Sequence, residues 1–191
     1  MDIYEQLVRA FGPLERPSRQ ELNAALRACH ILTADLEPVI SPPIDFPYSR
    51  TLLYKSEHIE VLGMSWAHDR QCAPHDHGQS WGLVKILEGR ATHAIYSLKG
   101  GIPVLRIRSL KEAGTTLFAP KGMIHSMGNP SSNRLITLHV YTPEITNMMV
   151  YDIPRCAACI VADDCGAWWP ATQRQIVREI RLKDHATNIG E

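Results

Sequence analysis

Between Trp81 and Tyr141 the chain is cut into short apolar runs by turn residues. Trp81–Leu87 ends at Glu88-Gly89-Arg90, Ala91–Leu98 ends at Lys99-Gly100-Gly101, and Ile102–Arg108, Thr115–Ala119 and Leu135–Tyr141 follow. Upstream, Val61, Gly63 and Ser65 alternate with Leu62, Met64 and Trp66, which is the period of a strand. Several short strands joined by glycine turns predict an all-β core, an antiparallel sandwich or barrel.

The ends of the chain follow other rules. Ile3, Leu7 and Phe11 recur at helical spacing until Gly12-Pro13 stops the pattern. Ser18 and Glu21 stand as a capping box ahead of Leu22, Ala25, Leu26 and Cys29, predicting a second helix that runs to about residue 37. The four prolines between Pro38 and Pro47 make that stretch an extended connector. After Tyr141 the strand pattern weakens, a cysteine-bearing segment occupies Arg155–Pro170, and a short helix is expected from about Thr172 to Lys183. The expected organisation is one domain: helices and connector over residues 1–47, a β core over 48–143 and an extension over 144–191.

Twenty basic residues balance twenty acidic ones. A neutral chain has no general attraction for nucleic acid or for an anionic membrane surface. No apolar run approaches the roughly 20 residues of a spanning helix, and the first residues carry acidic groups in place of a leader's apolar stretch. Five cysteines, an odd number, argue against a disulfide framework. These features predict a cytoplasmic protein, with monomer and homo-oligomer both open. Cys156, Cys159 and Cys165 are spaced C-x2-C-x5-C, and a zinc site would need a fourth ligand such as His185 or Cys29. On the residues alone, they read as small packing residues, with Trp168-Trp169 anchoring the segment to the core or to a second subunit.

His75 and His77 stand one residue apart just ahead of Trp81. On a strand residues i and i+2 point to one side, so both imidazoles, read as strand residues, can reach one point inside a barrel. Alone, the pair reads equally as two polar loop residues or as part of a metal site. Downstream, in GTTLFAPKGMIHSMGNP, Gly114, Pro120, Gly122, His125 and Asn129 are spaced G-x5-P-x-G-x2-H-x3-N. The two stretches together resemble the cupins, whose first motif is H-x-H, then a glutamate, then a glycine, and whose second has the spacing just given. The second motif matches at every fixed position, and the first at His75, His77 and Gly89. The resemblance implies a small jelly-roll-like antiparallel barrel behind N-terminal α-helices. It also implies that His75, His77 and His125 form a three-imidazole site suited to a first-row transition metal.

The motif glutamate falls at Gly82 and is absent. The site is left with neutral ligands and room for an anionic one; a thiolate is soft and is deprotonated readily at a metal. The surrounding residues resemble the thiol dioxygenases, cysteine dioxygenases most closely. His75-Asp76-His77 is followed by Ser80, Lys85, Leu87 and Gly89; Tyr48-Ser49-Arg50-Thr51-Leu52 and Thr137-Leu138-His139-Val140-Tyr141-Thr142-Pro143 match two further stretches of that family. The resemblance spans about residues 48–143. It implies iron(II) on the three histidines, Arg50 on a substrate carboxylate, Tyr141 beside the bound ligands and His139 orienting Tyr141. It further implies that O2 and a small thiol, L-cysteine above all, are the substrates, with cysteine sulfinate the product. In animal members a cysteine at the Gly82 position forms a thioether with the tyrosine; glycine cannot, so Tyr141 is expected unmodified. Trp81 replaces a smaller or polar residue at the pocket wall or in the core.

Three other readings stay open on the sequence. A 3-mercaptopropionate dioxygenase usually has glutamine where Arg50 stands. Cupin isomerases and dioxygenases of carbon substrates often keep the glutamate missing at Gly82. A non-catalytic metal-dependent sensor lacks support, because no DNA-binding helix pair or basic patch is present.

Overall fold

The computed structural model describes residues 2–182. Three helices come first: α1 (Ile3–Phe11), α2 (Arg19–Ala28) and α3 (Thr33–Leu36). Strands then follow as β1 (Tyr48–Lys55), β2 (Glu60–Trp66), β3 (Arg70–Gln71), β4 (Trp81–Glu88), β5 (Arg90–Lys99) and β6 (Ile102–Glu112). The remaining strands are β7 (Thr116–Ala119), β8 (Ile124–Asn129), β9 (Ile136–Thr142), β10 (Met149–Asp152), β11 (Ala157–Val161) and β12 (Ile176–Arg181).

The helix starts obey their caps. Asp2 accepts the Glu5 N–H at 2.8 Å, and Ser18 and Glu21 form the reciprocal capping box expected at α2. The second helix is shorter than expected. It stops at Ala28, where Cys29 turns extended, and the Asp35 carboxylate takes the Leu32 N–H at 2.8 Å to start α3 as a separate turn.

The strands are antiparallel and fall into three sheets, ordered β1-β2-β9-β4-β7, β3-β8-β5-β6 and β10-β11-β12. This is the all-β, jelly-roll-like core with N-terminal helices that the sequence implies, built from separate hydrogen-bonded sheets. The five-stranded sheet is buried on both faces. Its outer side, through Val61, Leu83, Leu138 and Val140, packs on Leu7, Phe11, Leu22 and Leu26 of the helices. Its inner side, through Met64, Val84 and Ile86, packs on Met127 and Val150 of the other sheets. Trp81 lies with the outer set, its ring 6.0 Å from that of Phe118, so it belongs to the helix-side core and not to the pocket wall.

The C-terminal helix expected over Thr172–Lys183 does not form. A single 3-10 turn, Gln173–Gln175, leads into β12, which pairs with β11; Lys183 lies outside the described residues. β-Branched Ile176, Val177 and Ile180 favour the pleated surface over a helix. Among the described residues no helix is long and apolar enough to cross a membrane.

Phe11 is fully buried between helix and sheet. Phe11→Ala is expected to cost about 3–5 kcal/mol of unfolding free energy in a denaturant titration. A loss in the surface range, about 0.5 kcal/mol, would mean that the helices are not part of the sheet's core.

Candidate active site

His75 and His125 are joined by their backbones. His75 N–H donates to His125 O at 2.9 Å, and His125 N–H returns the bond to His75 O at 3.0 Å. His125 sits on β8, whereas His75 and His77 lie on the extended loop between β3 and β4 and not within a strand. That loop is stitched down on its other side, where Asp76 N–H donates to Met149 O and the Asp76 carboxylate takes the N–H groups of Gly78 (2.9 Å) and Met149 (3.1 Å). Gly78 has φ +60°, and a side chain there would meet the Thr146 carbonyl.

The three imidazoles are buried, with one ligand atom of each within 4.8 Å of the others. The Nδ1 of His75 lies 2.9 Å from Ala73 O, which makes it the N–H donor and leaves Nε2 bare. His125 Nδ1 lies 3.0 Å from His93 Nε2, and His125 Nε2 lies 3.2 Å from His77 Nε2. Two nitrogens each about 2.1 Å from one ion would stand about 3.0–3.4 Å apart, so the spacing of His77 and His125 fits a metal. Burial holds the imidazoles neutral, the form that ligates: His75 is pushed down to about 4, and His77 and His125 well below their ordinary value. Among the described residues no carboxylate joins this group.

Gly82 explains why. It pairs with Tyr141 across β4 and β9. A Cβ at Gly82 would collide with Val140 O and lie 2.6 Å from Tyr141 Cδ1. The ring of Tyr141 thus fills the space that a side chain at this position would need. Cys72 lies behind His75, its buried sulfur 3.9 Å from His75 Nδ1 and taking the Met127 N–H at 3.2 Å.

Thr137, His139 and Tyr141 alternate on the inner face of β9, as their i, i+2 spacing requires. Trp66 Nε1–H donates to Thr137 Oγ1 at 2.8 Å; Thr137 Oγ1 lies 2.8 Å from His139 Nε2, and His139 Nδ1 lies 2.9 Å from Tyr141 Oη. The indole can only donate. Every proton finds a partner when Thr137 donates to His139 Nε2 and His139 Nδ1–H donates to Tyr141 Oη. The Tyr141 O–H is then free to point into the centre, where its oxygen is 3.4 Å from His77 Nε2. Burial raises the Tyr141 phenol well above its ordinary value, so it is a proton donor, and lowers His139 to about 3, so it is neutral.

Arg50 and Tyr48, on β1, line the same cavity as the three histidines and Tyr141; Met64, Ile145 and Met148 supply apolar wall. All six candidate residues, His75, His77, His125, Tyr141, His139 and Arg50, therefore meet in one place. Sequence reasoning missed His93. It is opposite Met127 on the neighbouring strand, two residues from His125, and so shares its face. Nothing in the two motifs marks it; only the register of β5 on β8 does. The cysteine-rich tail makes no metal cluster among the described residues, where all five thiols are free, and His185 lies outside them.

Antiparallel cupin sheets around a buried three-imidazole centre define a metal-binding cupin. A model of cysteine dioxygenase type I matches residues 47–153, more than half of the chain, and the protein belongs to that family. Among solved structures it is similar to an uncharacterized protein with a double-stranded β-helix domain from Klebsiella pneumoniae, at 16% identity and TM-score 0.50, covering 59% of this chain and 90% of that one. An RmlC-like cupin from Shewanella frigidimarina is 16% identical, with TM-score 0.45, over 56% of this chain and 86% of that one. The former likeness speaks to fold alone. Family and centre together make the protein a metal-dependent thiol dioxygenase.

The buried neutral histidines set an acid limit. The unfolded chain takes up protons below about 6.5, while folded His75 resists to about 4 and His139 to about 3. The unfolded state binds more protons across that window, so the metal-free protein loses stability as pH falls through it and regains it as pH rises. Melting temperatures recorded between pH 7 and 4.5 should fall steadily below 6.5; a flat profile would contradict neutral burial.

Proposed function

We propose that the protein is an iron(II) dioxygenase that adds both atoms of O2 to the sulfur of L-cysteine and yields cysteine sulfinate. The reading rests on one juxtaposition: a neutral three-imidazole centre, a protonated tyrosine and a guanidinium share one buried cavity. A thiol and O2 become a sulfinic acid with atoms and electrons balanced, so no further reductant is required.

His75, His77 and His125 would hold the iron, with His93 accepting from His125 Nδ1–H and so keeping Nε2 turned inward. Bound iron(II) would supply the redox chemistry that joins O2 to sulfur. Arg50 pairs with the substrate carboxylate through a planar fork of donors that a lysine lacks. Tyr141, aimed by His139, donates its O–H toward the reacting groups and holds them in one orientation. The apolar wall of Met64, Ile145 and Met148 excludes water from the same space. Oxygen uptake and sulfinate release by the iron-loaded protein, measured on L-cysteine, 3-mercaptopropionate and cysteamine, test the reading directly. Equal turnover of all three would defeat it.

Two variants divide the claim. His125→Ala should leave almost no tightly held iron, read by metal analysis after desalting; full iron and full activity would remove the three-histidine assignment. Arg50→Ala should weaken L-cysteine by about ten- to a hundredfold, the equivalent of one charged hydrogen bond of roughly 1.5–3 kcal/mol. Cysteamine, which has no carboxylate, should be poor with the parent and change little on this substitution.

A further inference from the structure

The segment between β11 and β12 lies outside the residues matched by the family, yet it touches the substrate end of the pocket. Arg50 Nη2–H donates to Asp163 O at 2.6 Å. The hydroxyl oxygen of Tyr48 accepts the Ala167 N–H at 2.6 Å, and Ala167 O takes the Ala73 N–H at 2.9 Å, from the loop that carries His75. One short stretch therefore bonds to both polar β1 residues that line the cavity and to the histidine loop beside it.

The same stretch is locked by packing. The Trp168 ring is stacked on Phe46 with centroids 4.3 Å apart and meets Tyr48 at 5.1 Å. The indole folds back over Gly166, where an added Cβ would overlap its six-membered ring, with Cε3 at 2.7 Å. The indole is rigid and wedged between two other rings, so it cannot yield as a flexible side chain would. Cys165, between these contacts, is buried, and burial pushes its thiol up to about 11. It is a packing residue, which leaves the segment a mechanical role.

We infer that Ala162–Trp168 is a positioning element that sets the selectivity of the pocket for thiols bearing a carboxylate, by holding the guanidinium of Arg50 through the Asp163 carbonyl and seating Tyr48 through Ala167. The inference rests on the reading of Arg50 as the carboxylate partner. One N–H of Arg50 is spent on Asp163, which pins the fork while leaving its other donors for substrate. A fixed fork loses less freedom on binding than a swinging one, so the segment adds affinity for a carboxylate without touching it. Glycine at 166 is what permits the indole to close over the turn.

Gly166→Ala tests this by forcing the indole out while leaving Arg50, the histidines and Tyr141 in the chain. The measurement is anaerobic titration calorimetry of the iron-loaded protein with L-cysteine and with cysteamine; without O2 there is binding and no turnover. Gly166→Ala should weaken L-cysteine roughly ten- to a hundredfold, leave cysteamine within about twofold and retain the parent's iron content. Trp168→Ala, which removes the ring instead of displacing it, carries the same expectation should Gly166→Ala fail to fold, and Trp168→Phe should restore most of the preference. Parent-like affinity for L-cysteine in both Gly166→Ala and Trp168→Ala overturns the inference. In that event a lost preference in Arg50→Ala leaves the reading of Arg50 standing, whereas an unchanged preference in Arg50→Ala removes that reading and the inference together.

Discussion

The centre depends on one reciprocal pair of backbone hydrogen bonds, between His75 and His125. The two residues are far apart in sequence, and closing that loop costs entropy. What repays it is continuity: β3 pairs with β8 at Arg70–Asn129 and Gln71–Gly128, Cys72 N–H bonds Met127 O, and His75 extends the line to His125. The histidine loop is in effect the frayed continuation of β3. Because side chains alternate along an extended backbone, a slip of one residue would turn His125 away from the pair. The register of β8 therefore determines the centre, and His93 belongs to it because β5 holds β8 from the other side.

A second constraint comes from β9, which is buried on both faces. Ile136, Leu138 and Val140 pack outward on the helices, while Thr137, His139 and Tyr141 face inward. A strand covered on both sides would ordinarily carry apolar residues throughout. Here the inward polar groups are tolerated because Trp66, Thr137, His139 and Tyr141 satisfy one another in sequence. The helices do more than shield: they remove the solvent face on which β9 could otherwise shift register.

The runs Trp81–Leu87, Ala91–Leu98, Ile102–Arg108, Thr115–Ala119 and Leu135–Tyr141 were legible because turn residues mark their ends, whereas β8, hidden within the second motif, was not read as a strand. The motif residues were legible because turn chemistry and metal ligation both demand particular residues. His93 was not, since its role arises from a cross-strand neighbour that no local spacing reveals. The helix read through residue 37 stopped at Ala28, where Cys29 turns extended, and Asp35 caps a new turn beyond it, a break that periodicity does not register. The tail failed for a related reason: Ile176–Arg181 carries no glycine or proline signal, and its strand state comes from pairing with β11. Gly82 was visible as a missing carboxylate, but the reason for it, the ring of Tyr141 occupying that space, is a tertiary fact.

Charge ties these features together. The imidazoles are neutral and the wall is apolar, while Asp76, the acid between the two loop histidines, spends its carboxylate on the N–H groups of Gly78 and Met149. The proposed iron(II) and the guanidinium of Arg50 would then bring three positive charges to a site whose three histidine ligands contribute no anion. Buried charge is costly until it is paired. In the proposed function a substrate carrying a thiolate at one end and a carboxylate at the other would pair with both cations at once. Cysteamine would meet only the metal and leave the donors of Arg50 that Asp163 does not take without a carboxylate. In the proposed function the glycine at position 82 and the arginine at position 50 would act together, the first by withholding the protein's own negative charge and the second by adding a positive one, and both would favour a ligand bound through a thiolate and a carboxylate.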